Sequence, residues 1–222
     1  DLANTKKNLQ NARALLESYL DEIFSQRQEG WHEKKLNEVC AITSILIDPR
    51  KPEFFDLTHV GAANIKSQTG NLVELKTARE EGLISGKFQF DKSMVLYSKI
   101  RPYLMKVARP DFNGLCSADI YPLKPFMSQI TRNFLFYLLT CNFFTNYAIQ
   151  GSDRAGMPKV NRNHLFNFTV YLPPLNIQKM LEKKLDKIHS EIKHLESIYQ
   201  QKLTALEELK KSLLHQAFTG NL

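Results

Sequence analysis

The sequence predicts an α/β (α+β) globular domain flanked by long α-helical coiled-coil arms. Apolar residues repeat at heptad spacing near both ends of the chain, the segment between them mixes short strand-like runs with one helical run, and the basic excess is confined to that middle. At 222 residues, 43% hydrophobic and 24% charged, the chain can bury one core of ordinary size and still spare residues for arms. The divisions expected are an N-terminal helical arm over 1–30, a globular domain over 31–174 and a long C-terminal helix over 175–222.

In the N-terminal arm Leu9, Ala12, Leu16, Tyr19 and Ile23 follow one another at steps of 3, 4, 3 and 4, which places them on one helical face. In the middle, Met94–Ile100 reads as a strand ended by Arg101-Pro102, and Leu115–Pro122 reads as a second strand after the turn Asp111-Phe112-Asn113-Gly114. Together they suggest two strands joined by a basic loop. Asn133–Ile149 is apolar nearly all round and reads as one buried helix. Its Phe134, Phe136, Tyr137, Phe143, Phe144 and Tyr147 fall on several faces, which favours core packing over a base-stacking platform. Thr140, Cys141, Asn142, Thr145 and Asn146 make the same stretch too polar to span a bilayer.

After Pro173-Pro174 the seam Leu185, Ile188, Ile192, Leu195, Tyr199 runs at heptad spacing. A second step of four to Leu203 reads as a stutter, so one helix of about 40 residues and about 60 Å is expected, with Gly220 available as its cap. A helix so long with so narrow a stripe needs a partner: the N-terminal arm, another copy, or both. The two arms also resemble each other. Sliding residues 8–26 onto 202–220 superposes Leu9 on Leu203, Leu15 on Leu209, Ser18 on Ser212, Leu20 on Leu214 and Phe24 on Phe218. Shared heptad composition explains some of these matches, and an internal repeat explains all of them.

Residues 1–30 carry four basic and five acidic groups, 31–174 carry 18 and 12, and 175–222 carry eight and six. Two stretches hold no acid: Lys92–Pro110, with Lys99, Arg101, Lys106 and Arg109, and Arg154–Leu181, with Arg154, Lys159 and Arg162. A polyanion is the natural partner, against the plainer reading of ordinary surface lysines. Pro102 restricts the first loop, which lowers the ordering cost of binding and singles out Arg101, with Lys99, Tyr103 and Lys106 beside it. The alternative for Arg101 is that it caps a strand or pairs with Asp119. In the second stretch Arg154, Lys159, Asn161 and Arg162 form the candidate surface, Gln150 and Ser152 are candidate polar contacts, and Gly151 and Gly156 are candidates for close backbone approach.

Catalytic parts are not found. The six histidines show no metal-type spacing with one another or with cysteine, no Gly-x-Gly-x-x-Gly or Walker sequence occurs, and Leu172-Pro173-Pro174-Leu175 lacks the polar and aromatic flanks of an amino-methyltransferase clamp. No metal and no bound cofactor are expected. The three cysteines, Cys40, Cys116 and Cys141, lie far apart, and no basic segment followed by an apolar one opens the chain. These features suggest reduced thiols, a cytoplasmic location and no membrane association.

The motifs Gly86-Lys-Phe-Gln-Phe-Asp91, Val95-Leu-Tyr-Ser-Lys-Ile-Arg-Pro-Tyr-Leu-Met-Lys106, Gly156-Met-Pro-Lys-Val-Asn161, Leu172-Pro-Pro-Leu-Asn-Ile-Gln178 and Leu209-Lys-Lys-Ser-Leu-Leu-His-Gln-Ala-Phe-Thr-Gly220 span the chain. In this order and spacing the sequence resembles the DNA-specificity (S) subunit of type I restriction-modification systems, as one target-recognition domain with its flanking helical regions. It departs from the family pattern at Ile177, where an acidic residue is usual. The resemblance implies a non-catalytic subunit that binds double-stranded DNA and lends specificity to a methyltransferase (M) subunit and a restriction (R) subunit. S-adenosylmethionine, ATP and Mg are then expected only in those partners. It also implies a C-terminal half or half-size subunit. Separately, the heptad seams and the repeat suggest a homodimer through Leu9, Leu16, Tyr19, Ile23, Leu185, Ile188, Ile192 and Leu195. The competing readings are a helix-mediated dimerisation scaffold without DNA specificity of its own, and a stand-alone DNA methyltransferase.

Overall fold

A computed structural model of the chain describes residues 2–152 and 157–218. Helix α1 (Leu2–Ser25) leads into strands β1 (His32–Lys35), β2 (Cys40–Ala41), β3 (Leu46–Ile47), β4 (Thr58–Val60), β5 (Lys76–Thr77), β6 (Lys87–Phe90), β7 (Val95–Ser98), β8 (Val107–Ala108), β9 (Gly114–Ser117) and β10 (Ile120–Pro125). Helices α2 (Arg132–Thr140), α3 (Asn142–Gln150) and α4 (Arg162–Phe166), strand β11 (Thr169–Leu172) and helix α5 (Leu175–Phe218) follow. The fold is mixed α/β, and it divides into two compact units: Leu20–Glu182, and the residues up to Tyr19 together with those from Lys183 onward.

The larger unit holds three sheets. One is five-stranded in the order β3-β6-β9-β4-β5, one is four-stranded in the order β2-β10-β7-β8, and β1 pairs with β11. All pairings are antiparallel except β4 with β9. Val60, Phe88, Phe90 and Cys116 from the first sheet meet Leu96, Ala108 and Ile120 from the second in one buried cluster. Gly114 is required where β9 runs between β4 and β6, because a Cβ there would lie 2.4 Å from the Thr58 carbonyl oxygen and 2.9 Å from the Phe90 ring.

Three expectations for the middle segment need correction. The stretch 115–122 is not one strand: β9 ends at Ser117, the chain turns at Ala118-Asp119, and β10 enters the other sheet. The basic loop after β7 does not lead to that stretch either, but returns through the 3-10 turn Pro102–Leu104 to β8, which pairs with β7. The single helix expected over 133–149 is two. Cys141 has extended backbone (φ −81°, ψ 155°) and its sulfur accepts the Phe144 N–H at 3.4 Å, while the Asp21 carboxylate accepts the Asn142 backbone and side-chain N–H groups at 3.1 and 3.0 Å. A cap formed by residues this distant in sequence overrides the local helical pattern. Of the six aromatics expected in the core, Phe134, Phe136, Tyr137 and Phe144 are buried, Tyr147 is half-buried and Phe143 is exposed.

The last turns of α1 belong to this unit. Leu20, Ile23 and Phe24 are buried, with the Phe24 ring 5.0 Å from Phe134, so Ile23 serves the globular core and not a helix seam. At the other end Gln178, fully buried, accepts the Thr131 N–H at 3.1 Å and donates to the carbonyls of Gln129 and Pro173, each at 2.9 Å. Thr131, whose hydroxyl also bonds Glu182, caps α2 by accepting the Phe134 N–H.

In the smaller unit α1 and α5 run antiparallel. Lys202 donates to the Thr5 hydroxyl at 2.8 Å and Arg13 pairs with Glu196 at 2.6 Å. Leu9, Leu185 and Ile192 are buried, and Leu16, Tyr19, Ile188 and Leu195 are half-buried. Beyond Leu203 every described residue of α5 is exposed, including Leu206, Leu209, Leu213 and Leu214. No helix among the described residues is long and apolar enough to cross a membrane.

Candidate nucleic-acid interface

The two acid-free stretches, remote in sequence, converge. Val160 N–H donates to the Lys99 carbonyl at 2.8 Å, Arg101 N–H donates to the Pro158 carbonyl at 2.9 Å, and Ile100 bridges Lys159, so residues 158–160 lie along the end of the β7 hairpin as an extra strand. The Tyr121 hydroxyl donates to the Val160 carbonyl at 3.2 Å and secures this segment to β10.

At the junction sits Asp119, at the turn between β9 and β10. One of its carboxylate oxygens lies 3.6 Å from the Lys99 ammonium and 3.3 Å from that of Lys159. Lys99 also donates to the Ala118 carbonyl and lies 5.1 Å above the Tyr121 ring, while the Arg162 guanidinium lies 5.7 Å from the same ring and 5.8 Å from that of Phe88. Burial holds the Lys99 pKa below its ordinary value, with the Lys159 charge adding to that and Asp119 opposing it. The lysines differ in reach: the Lys99 side chain is 12% exposed and that of Lys159 47%. Lys159 and Arg162 are therefore available to a ligand, whereas Lys99 chiefly ties the turn to the hairpin.

Arg101 is exposed and left-handed (φ 49°, ψ 61°), a strained backbone state for a non-glycine residue. The buried Pro102 after it and the Pro158 carbonyl on its N–H hold it there, and Met105 closes the turn in the same conformation (φ 46°). Tyr103 is half exposed at the tip. Lys106 points back and donates to the Ala62 carbonyl at 2.5 Å. Asp119 takes up Lys99 and Lys159, a pairing the sequence reading had considered only for Arg101.

The remaining candidates separate. Asn161 caps α4, its side chain accepting the His164 N–H at 2.8 Å, which gives it a folding role. Ser152 is buried and donates to the Ile149 carbonyl at 2.7 Å, and Gln150 is exposed. At Gly151 a Cβ would fall 2.1 Å from the His164 ring, so its glycine is needed for packing against α4. Arg154 and Gly156 lie outside the described residues. Sequence reasoning placed Asp119 only opposite Arg101 and missed Tyr121 as part of the site. The one signal for both was position, between the two basic stretches.

Burial pushes the Cys40 and Cys141 thiols up to about 12 and raises Cys116 as well, which keeps all three as unreactive core groups. Among the described residues no group of three or more His, Cys, Asp or Glu side chains is placed to hold a metal ion.

Comparison with known proteins identifies relatives of the chain. The chain is 33% identical over 193 residues to the type I restriction enzyme EcoDI specificity subunit of Escherichia coli, a match covering 87% of this chain and 42% of that protein. Its fold matches the HsdS subunit from Thermoanaerobacter tengcongensis with a TM-score of 0.64 at 19% identity, over 99% of this chain and 54% of the other. It also matches a chain from a structure of the type I R-M system that addresses complex assembly and conformational transition, with a TM-score of 0.68 at 19% identity, over 99% and 55%. The chain thus spans about half the length of these relatives. The family model described as the type I restriction modification DNA specificity domain matches residues 28–205, four-fifths of the sequence and all of its sheets, and the chain belongs to that family.

Proposed function

We propose that this chain is a DNA-reading half of a type I specificity subunit, binding double-stranded DNA through the surface formed by Arg101, Tyr103, Lys159 and Arg162. The observation that supports it best is the convergence of two acid-free stretches on one face of the globular unit. Phosphate contacts from such cations position a protein on the duplex, and in this reading Tyr103 at the hairpin tip lies near the backbone or a base edge. Residues 31–174 then act as the recognition domain. The arms 1–30 and 175–222 act as coiled-coil spacers and docking surfaces for the methyltransferase and restriction subunits, which carry the chemistry and its cofactors.

Fluorescence anisotropy of a labelled duplex, titrated over a range of salt, tests this reading. The chain should bind with a log-log salt slope of about −2 to −3, as expected for the two or three phosphates that Arg101, Arg162 and Lys159 can neutralise. Arg101→Ala should cost about 1–3 kcal/mol in affinity. A folded Arg101→Ala protein with unchanged affinity would remove Arg101 from the interface, and a duplex affinity indifferent to salt would favour the scaffold reading.

Self-association is supported by a separate observation. Leu214 and Phe218 are 48% and 87% exposed, whereas their counterparts in the internal repeat, Leu20 and Phe24, are 3% and 1% exposed. A second copy offers this end of α5 the kind of cover that the first repeat already has. Sedimentation at tens of micromolar should therefore give a dimer. A clean monomer would assign the exposed leucines to the methyltransferase subunit instead.

A further inference from the structure

We infer that Asp119 is a built-in competitor for DNA phosphate, a carboxylate that occupies Lys159 and so keeps sequence-independent binding weak. The inference rests on the DNA-binding reading above and deepens it. Asp119 is an acid set among the cations of the surface, with Lys99 and Lys159 on one of its oxygens and Arg162 over the adjoining Tyr121 ring. An acid placed there opposes the approach of a polyanion, and the turn that carries it has backbone bonds that do not use its charge. The backbone at Asp119 is held by its N–H donating to the Ser117 hydroxyl at 3.2 Å and by its carbonyl accepting the Lys99 N–H at 3.0 Å, and neither bond involves the carboxylate. Lys99 has a second anchor in the Ala118 carbonyl, so the turn stays tied to the hairpin without the charge.

Lys159 is the group the carboxylate restrains to effect. It is half exposed and lies in the segment held against the β7 hairpin, so its ammonium has a fixed origin. While it pairs with Asp119 it neutralises no phosphate and releases no counterion. Weak non-specific binding is useful in a sequence reader, because the few contacts to base edges then decide where the protein rests among a great excess of competing sites.

The test uses the full chain and a random-sequence duplex as probe, with Asp119→Asn as an isosteric change and Asp119→Ser as a second variant in case the first perturbs the turn. Both should bind the random duplex about three- to tenfold more tightly than the parent at moderate salt, with a log-log slope steeper by about one, the increment for one more neutralised phosphate. Adding Lys159→Ala to Asp119→Asn should return the slope to the parental value. Unchanged or weaker random-duplex binding by folded Asp119 variants, while the parent still binds, overturns the inference and leaves the DNA-binding reading standing. Loss restricted to particular sequences would make Asp119 an acceptor for a base amino group and would also overturn it. No duplex binding by parent or variants at low salt overturns the DNA-binding reading and this inference with it.

Discussion

Gln178→Leu is expected to lower the unfolding free energy of the globular unit by about 3–5 kcal/mol, measured by denaturant titration with the parent alongside. Leucine is close in volume, so the change tests the polar role with little contribution from a cavity. The Gln178 amide is fully buried and meets three backbone groups: the Thr131 N–H, the Gln129 carbonyl and the Pro173 carbonyl. Leucine leaves all three without this partner, and each buried unsatisfied group costs about 1–3 kcal/mol. The Thr131 N–H matters most, since Thr131 also caps α2, and α2 carries Phe134, Leu135, Phe136, Tyr137, Leu138 and Leu139 into the core. A loss under about 1 kcal/mol would mean that water or a shifted backbone replaces the amide. This buried role also accounts for the position of Gln178 in the proline motif: after Pro173-Pro174 the side chain reaches back to the Pro173 carbonyl and fastens the first turns of α5. Ile177, the departure from the family pattern, is only half-buried beside it.

The helices were legible in the sequence because a long amphipathic helix writes its own period. The steps of three and four through Leu9, Leu16 and Tyr19, and through Leu185, Ile188, Ile192 and Leu195, match residues that are buried or half-buried in the smaller unit. Ile23 continued the same period yet packs in the globular core, since periodicity records which face is apolar and not what covers it. The sheets were much less legible. Strands β2, β3, β5 and β8 have only two residues each, too few to show alternation, and β8 was read as loop for that reason. The break at Cys141 depends on Asp21, 121 residues away from Asn142. At the site, runs of basic residues were visible as composition, but their convergence came from the bridge of Ile100 to Lys159, which no local pattern encodes. Lys99 and Lys106 were chosen for charge alone, and the fold turns both ammonium groups towards backbone carbonyls.

Removing the heptad Ile192–Ile198 from α5 is expected to change the target spacing accepted by the assembled methyltransferase complex, while leaving the bases read at each end unchanged. Helix α5 has 44 residues, which at 1.5 Å per residue is about 66 Å, more than one turn of duplex. In the proposed function its length sets how far apart two recognition domains meet the DNA. Seven residues amount to about 10 Å, or about three base pairs of rise. The seam keeps its phase: Tyr199 takes the place of Ile192 and Leu206 that of Tyr199, while Lys202 replaces Leu195. The deletion removes the Arg13–Glu196 pair and draws Lys202 away from Thr5, but the pair, with side chains 45% and 21% exposed, contributes at most about 1 kcal/mol and a single hydrogen bond about as much, so the helices should remain paired. A shift of two turns also rotates the following residues by only about 20°, which keeps the apolar face of the remaining helix turned the same way. Mapping modified bases after co-expression with the methyltransferase subunit reads the result directly: the two half-sites should be retained and the unread spacer between them shortened. If the shortened protein assembles and the modified sites keep their original spacing, α5 does not act as a ruler, and the distance between half-sites must be set by the partner subunits.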